Sequence, residues 1–511
     1  MKHFKLIITI FTLTLLLGAC TKLDEKVYSR LSADNFYKTP EEVNAGLVNI
    51  YNRLAGSHIW LDHWQLQECS TDHGMCPWGD GGVYKQDQMH TWDAAHGPMG
   101  NIYRGLYGCI AVSNSFIETL QGSSLPNKDV IAAEVKALRA YCYLELCDFF
   151  GNVPLVTAAH LDQQNLPANS TRKEIFDFIE RELKEAIPQL PALKDMASKK
   201  AYFPRIAKET AQTILAKMYL NAEVYTGTAR WQDCVTYCDA VINSGVYKLG
   251  PSIWDAMAPT NNESDEVILA ISKDNVGYWN TVIGNWTNVL SMHSELKGAY
   301  RDGKDLQITY SGWGGPSVLA EHDSIYDATD FRKSFILQRK FYDKDGKLIA
   351  DILPFSNMDV ANFNSPKEGF SCIKYKPDPE VAIGVNQRND LVIYRYADVL
   401  LSKAEALTRI AGGNKLTGDA AILVNSVRKR NFIDYTGKEF TTNNTLDDLL
   451  MERSREFLWE CSYRTDLVRF GKFTTTHTKW KVDNDAAFRN IFPIPLSEIQ
   501  ANPNLKQNPG Y

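Results

Sequence analysis

Three groups of residues have the types and spacings that chemistry would need. Glu452, Glu456 and Glu460 stand four apart, close to Arg453, Arg455, Arg464, Asp466 and Arg469. On one face of a helix that spacing builds an ion ladder. Paired acids also serve the hydrolysis of glycosidic bonds. The ladder needs nothing beyond the spacing, so Glu456→Gln is expected to lower stability more than ligand binding. A second group is Cys69, His73, Cys76 and His90, which resembles a zinc set with irregular spacing; in an oxidising compartment Cys69 and Cys76 could pair instead. Asp343-Lys-Asp-Gly346 has the look of a calcium loop, but Lys347 stands where an acceptor is needed and no glutamate closes it. It reads as a hairpin turn. No phosphate-cradling loop, H-E-x-x-H or G-x-S-x-G occurs, and no enzyme activity, cofactor or metal is expected.

The third group is tryptophan. Trp60, Trp64, Trp78, Trp92, Trp279, Trp286 and Trp313, seven of the eleven, fall in two windows rich in Gly, Asn and Asp. Flat aromatic faces beside short polar groups suit sugars: pyranose C–H faces stack on the ring while hydroxyls hydrogen-bond to the rim. The expected platform is Trp78, Tyr84, Trp279, Trp286 and Trp313, with Asp80, Asn280 and Asn285 as polar partners. Trp60 and Trp64, four apart, read as a helix or core contact.

The elements that must position these residues are mostly helices. Apolar residues recur at three- and four-residue spacing over about 40–56, 100–121, 127–149, 172–187, 204–226, 230–244, 394–411, 417–430 and 446–470. Thr39-Pro40-Glu41-Glu42 is a helix start, with an N-cap, a proline at the first position and acids in the first turn. Two stretches form helical pairs, 207–225 with 230–244 and 394–410 with 417–430, close to the ~34-residue length of a tetratricopeptide unit. Between about 245 and 393 the pattern changes to short β runs such as Val267–Ile271 and 335–348. The expected fold is mainly α: a tetratricopeptide-like helical repeat scaffold, about 31–245 and 394–511, with a variable, loop-rich subdomain of short β-hairpins at about 57–100 and 245–393.

At the N-terminus Lys2 and Lys5 precede an uncharged stretch from Leu6 to Leu17, then Gly18, Ala19 and Cys20. That is a signal peptide over 1–19, too short to span a bilayer, which takes ~20 apolar residues. Leu17-Gly-Ala-Cys20 is similar to a lipobox, so Cys20 is expected to carry the lipid and 20–30 to act as a tether. The formal charge of −6 becomes −8 once residues 1–19, which hold two lysines and no acid, are removed. Nucleic acid is an unsuitable partner for that surface. Nine cysteines remain without repeated spacing, and they read as small buried core residues rather than a disulfide framework.

The motif order resembles the RagB/SusD family of outer-membrane lipoproteins over essentially the whole mature chain. The resemblance is carried by Leu31-Ser-Ala-Asp-Asn-Phe36, Ala137-Leu-Arg-Ala-Tyr-Cys-Tyr-Leu144 running into Phe150-Gly-Asn-Val-Pro154, and the segments 211–220 and 394–406. Glu452 to Gly471, then Phe492-Pro-Ile-Pro495 and Gln507-Asn-Pro-Gly-Tyr511, resemble the family's C-terminal signature and ending. It implies a glycan- or oligosaccharide-binding lipoprotein at the cell surface that passes its ligand to a SusC-like TonB-dependent transporter. A glycan-degrading surface enzyme, a purely structural repeat protein, and a relative that takes peptides or other nutrients are the alternatives. Asp24 and Glu25 fit an acidic surface-export signal.

Overall fold

The computed structural model describes residues 37, 39–58, 61–197, 199–272, 286–356, 368–381, 387–475 and 486–511, without the side chains of 57–58 and 286–288. The signal peptide, Cys20, Trp60, Trp279, Asn280 and Asn285 lie outside the described residues. Among the described residues, nine helices of more than ten residues build the scaffold: α1 Pro40–His58, α2 Gly97–Gln121, α3 Lys128–Phe150, α4 Arg172–Ala186, α5 Lys208–Leu220, α6 Trp231–Asn243, α7 Tyr396–Ile410, α8 Gly418–Arg428 and α9 Leu446–Glu456. From α1 to α8 each helix packs on the next, so the pairs α5/α6 and α7/α8 stack through α6 and α7 into one array. The fold is mainly α and tetratricopeptide-like, as the spacing and small residues of these segments predict.

Local chemistry sets the helix starts. Thr39 and Glu42 exchange hydrogen bonds, each backbone N–H donating to the other's side chain at 3.3 Å. Thr171 with Glu174 and Thr445 with Asp448 repeat this capping box at α4 and α9. Each box satisfies N–H groups that the first turn leaves unpaired. Small side chains such as Ala211, Ala216, Ala404 and Ala420 are fully buried between helices, where they let backbones approach. Of the nine cysteines after Cys20, eight are buried and Cys461 is partly so, and all are free thiols.

Two expected helices are interrupted. The segment 204–226 starts only at Lys208 and breaks at Asn221 before a short turn, Ala222–Thr226. The segment 446–470 ends as α9 at Glu456 and resumes at Tyr463–Arg469. Glu460 therefore does not continue the helical face of Glu452 and Glu456. The cause is non-local. Lys374 Nζ donates to the carbonyls of Glu456 and Leu458 at 2.7 and 3.0 Å, and an Arg395 Nη2 donates to the Glu456 carbonyl at 2.8 Å. These cations take over the carbonyls at the helix end, while Trp459 and Cys461 turn the chain with φ of 60° and 55°.

Between α6 and α7 the strands are short. Val267–Ile271 pairs antiparallel with Leu391–Arg395, and Arg339–Tyr342 pairs with Leu348–Ile352 across the expected hairpin. The Asp343 carboxylate accepts the backbone N–H groups of Asp345 and Lys347 at 2.9 Å, so it closes the turn itself, with Gly346 at φ 80°. This region has its own hydrophobic core, built from Leu61, Trp64, Val289, Leu290, Phe341, Phe370 and Trp459 among others.

A buried ion network fastens that region to the helices. Glu456 meets Arg395 and Arg332 at 2.8 Å and Arg430 at 2.7 Å; Arg395 also meets Glu266 and Glu460 at 2.7 Å, and Arg332 meets Glu452 at 2.8 Å. Burial alone would raise the Glu456 carboxyl, but Arg395, Arg430, Arg332 and Lys374 hold it well below the usual range. The acidic ladder is thus a structural clamp. No helix among the described residues is long and apolar enough to cross a membrane.

Candidate functional site

Two distant stretches meet through one backbone pairing. After α1 the chain forms the buried turns Leu61–Trp64 and Gln65–Cys69, with the Trp64 indole edge-on to Trp459 at 5.0 Å, a core contact as the spacing predicts. It then reaches Met75, whose N–H donates to the Ser317 carbonyl at 2.9 Å and whose carbonyl accepts the Ser317 N–H at 2.8 Å. This bridge brings the segment around Trp78 onto the glycine-rich run Ser311-Gly-Trp-Gly-Gly315.

Trp78 packs on the Gly315 backbone. A Cβ placed on Gly315 would sit 2.2 Å from the indole, so no other residue fits there without moving the ring. Gly314 adopts φ 63°, and a Cβ there would lie 3.2 Å from His293 Nδ1; the Nε2 of that ring lies 2.9 Å from the Gly369 carbonyl. The loop is pinned from beneath: Gly314 N–H donates to Met292 O at 3.0 Å and Gly315 N–H to Leu290 O at 2.9 Å. Leu290 belongs to the short helix Trp286–Ser291, so Trp286 enters on the element that supports the loop.

The result is an aromatic surface. Trp313 is 53% exposed, its ring 6.2 Å from that of Trp78 with planes at 48°. Trp78 is partly exposed and its Nε1–H is buried with no acceptor among the described residues, beside the exposed ring. Tyr84 stands edge-on to Trp78 at 6.4 Å but is only 7% exposed, so it braces the platform instead of presenting a face. Burial, then Cys76 and Asp80, push the Tyr84 hydroxyl far above its ordinary range, which keeps it a neutral phenol. Asp80 is exposed, in a turn where Asp80, Gly81 and Gly82 have φ of 26°, 68° and 83°. The structure thus brings together Trp78, Asp80, Tyr84 and Trp313 of the expected set. Sequence reasoning missed Gly315 and the Met75–Ser317 pairing; the flanking of Trp313 by glycines was the available signal.

The cysteine and histidine group serves other ends. Cys69 Sγ donates to the Tyr84 carbonyl at 3.9 Å, and burial pushes the Cys69 and Cys76 thiols well up. His90 Nε2 lies 2.7 Å from the Ser70 carbonyl. His73 Nε2 lies 2.8 Å from Ser454 Oγ and its Nδ1 2.5 Å from Glu68 Oε2. Ser454, His73 and Glu68 have the order of a nucleophilic triad. Yet they are 1%, 0% and 0% exposed, with the imidazole stacked on Tyr463 at 3.6 Å and the other Glu68 oxygen accepting the Ser462 N–H. A substrate has no face by which to reach the hydroxyl. The trio is a hydrogen-bonded core.

Fold and site together define a class: a helical-repeat scaffold whose inserted loops present an aromatic surface. Two family models match, "SusD family" over residues 322–511 and "Starch-binding associating with outer membrane" over residues 22–220. The chain is SusD-like at both ends, over residues 22–220 and 322–511. It is 26% identical to "Starch-binding protein SusD" of Bacteroides thetaiotaomicron, over 89% of this chain and 86% of that one. Among solved structures it resembles a SusD homolog from Bacteroides thetaiotaomicron, with TM-score 0.75 and 20% identity over 94% of this chain and 98% of that chain. It also resembles surface glycan-binding protein A from Bacteroides thetaiotaomicron in complex with laminarihexaose, with TM-score 0.72 and 22% identity over 92% and 100% of the two chains.

Proposed function

We propose that this protein is a lipid-anchored, surface-exposed outer-membrane lipoprotein that captures a glycan or oligosaccharide and delivers it to a SusC-like TonB-dependent transporter. The observation that carries this reading is the exposed Trp313 face set beside Trp78 on a glycine-rich loop that the fold holds still. Rigid aromatic faces bind sugars with little ordering cost, because few torsions are lost. Names of similar proteins that include starch and laminarihexaose support a saccharide ligand. The description of the matched family model supports the outer membrane, and the Leu17-Gly-Ala-Cys20 motif supports the anchor. Binding of this kind calls for no chemical step.

A glycan array probed with the purified protein tests the ligand class, and a thermal shift with each hit confirms it, since any ligand of the native state raises the melting temperature. Release of reducing ends from a bound polysaccharide would assign an enzyme instead. Protease shaving of intact cells tests the location; protection of the protein places it on the inner leaflet and removes the capture role. Co-purification with a TonB-dependent transporter from detergent extracts tests the partner.

A further inference from the structure

A second concave surface shares no residue with the platform. It is a groove of about 1150 Å³, lined on one side by Arg301, Phe331, Lys333, Arg339, Lys340 and Tyr342 and on the other by Ile433, Asp434, Thr436 and Lys438. That exceeds the ~300–1,000 Å³ of a small-molecule pocket. Oligosaccharide is the matching size.

Five cations and four carboxylates line it, Asp302 and Asp351 among the carboxylates with Asp351 opposite Lys340 on the paired strand, and these charges are unevenly satisfied. Asp330 is closed off by Arg332, which meets it at 2.7 Å, and the Asp434 carboxylate accepts the Thr436 N–H at 2.9 Å. Lys333 pairs loosely with Asp323 at 3.4 Å, and Lys438 with Asp327 at 2.5 Å. Arg339 and Lys340 are both exposed, and among the described residues neither forms an ion pair. Arg339 also has φ of 69°, a left-handed conformation that a non-glycine residue holds only where the surroundings impose it. It opens the hairpin strand Arg339–Tyr342, so the guanidinium is carried on a fixed element.

Aromatic faces lie in the same groove. Phe331 is 38% and Tyr342 37% exposed, and the Phe331 ring is braced edge-on by Trp254 at 5.1 Å and Phe335 at 5.7 Å. Unpaired cations suit sulfate or carboxylate groups, with a guanidinium binding either through two parallel bonds. Fixed aromatic faces suit the sugar ring that carries them. We infer that this groove is a second binding site, distinct from the Trp78–Trp313 platform, for the anionic residues of an acidic saccharide, with Arg339 and Lys340 binding the charge and Phe331 and Tyr342 the rings.

Calorimetric titration of the full-length protein in detergent, with tetragalacturonate and a sulfated carrageenan tetrasaccharide as probes and cellotetraose as the neutral control, tests this. At low salt at least one anionic probe binds, more weakly at high salt, because exposed charges are screened. Binding of the uronate alone, the sulfated sugar alone, or both assigns the anionic group. The double variant Arg339→Gln/Lys340→Gln lowers that affinity at least about tenfold. Tyr342→Ala gives a separate loss, and Trp313→Ala leaves the anionic affinity unchanged. Failure of both anionic probes overturns the inference. So does equal binding by cellotetraose that persists in Trp313→Ala, equal binding by polyglutamate or by the double variant, or a loss of anionic affinity caused by Trp313→Ala.

Discussion

Gly315 faces the indole of Trp78 so closely that a Cβ there would lie 2.2 Å from the ring. The position of the platform thus depends on a residue with no side chain. Gly315→Ala is expected to displace Trp78, lower glycan affinity at least about tenfold, and raise acrylamide quenching of tryptophan fluorescence. Unchanged affinity and quenching would show that Trp78 is held by something other than this contact.

Glu456 sits at the centre of the buried network, with Arg332, Arg395 and Arg430 on its two oxygens. Removing one partner from such a cluster leaves uncompensated buried charge and costs about 3–5 kcal/mol. Glu456→Gln is therefore expected to lower stability by that order in denaturant titration while glycan affinity of the folded fraction stays within about twofold. Lost affinity with an unchanged melting temperature would move Glu456 from the scaffold to the binding site.

Acid should dissolve this clamp together with the separate buried pairs of Asp398 with Lys217 and Arg453 and of Glu405 with Arg469. Against burial, which raises them, neighbouring cations hold the carboxyls of Glu456, Glu266, Asp398 and Glu405 below their ordinary values near 4.5 for Glu and 3.8 for Asp. The unfolded chain binds protons first as pH falls, so their stabilisation is complete above those ordinary values and is lost as pH falls toward the depressed ones. Melting temperature is expected to be level near neutrality and to drop steeply below about pH 4.5. A melting temperature that rises on acidification contradicts this assignment.

Ser454, His73 and Glu68 give a fourth expectation. Because the hydroxyl is sealed in the core, a fluorophosphonate probe should leave Ser454 unlabelled in the native protein, as read by peptide mass mapping. Stoichiometric labelling would reopen a hydrolytic role.

Much of this architecture is legible in the sequence, where the determinants are local. The Thr39 start, the alanine-lined helix pairs and the Asp343–Gly346 turn follow from spacing and turn chemistry within a few residues. The end of α9 is not legible, because Lys374 and Arg395 reach it from other elements and no Gly or Pro marks the place. The same limit applies at the platform. The tryptophan windows stand out by composition, but their meeting depends on the Met75–Ser317 pairing, and the burial of Tyr84 depends on packing by both segments. Glu460 shows a further case: it joins the network as expected, but from a loop, so helical periodicity gave it the wrong element.

The central claim is that the exposed aromatic surface binds glycan. Its most direct test is calorimetric affinity for the strongest array hit, measured for the wild type, Trp78→Ala and Trp313→Ala. Both variants are expected to keep the wild-type fold and lose at least about tenfold in affinity, roughly 1.4 kcal/mol each. Wild-type affinity in both would contradict the account.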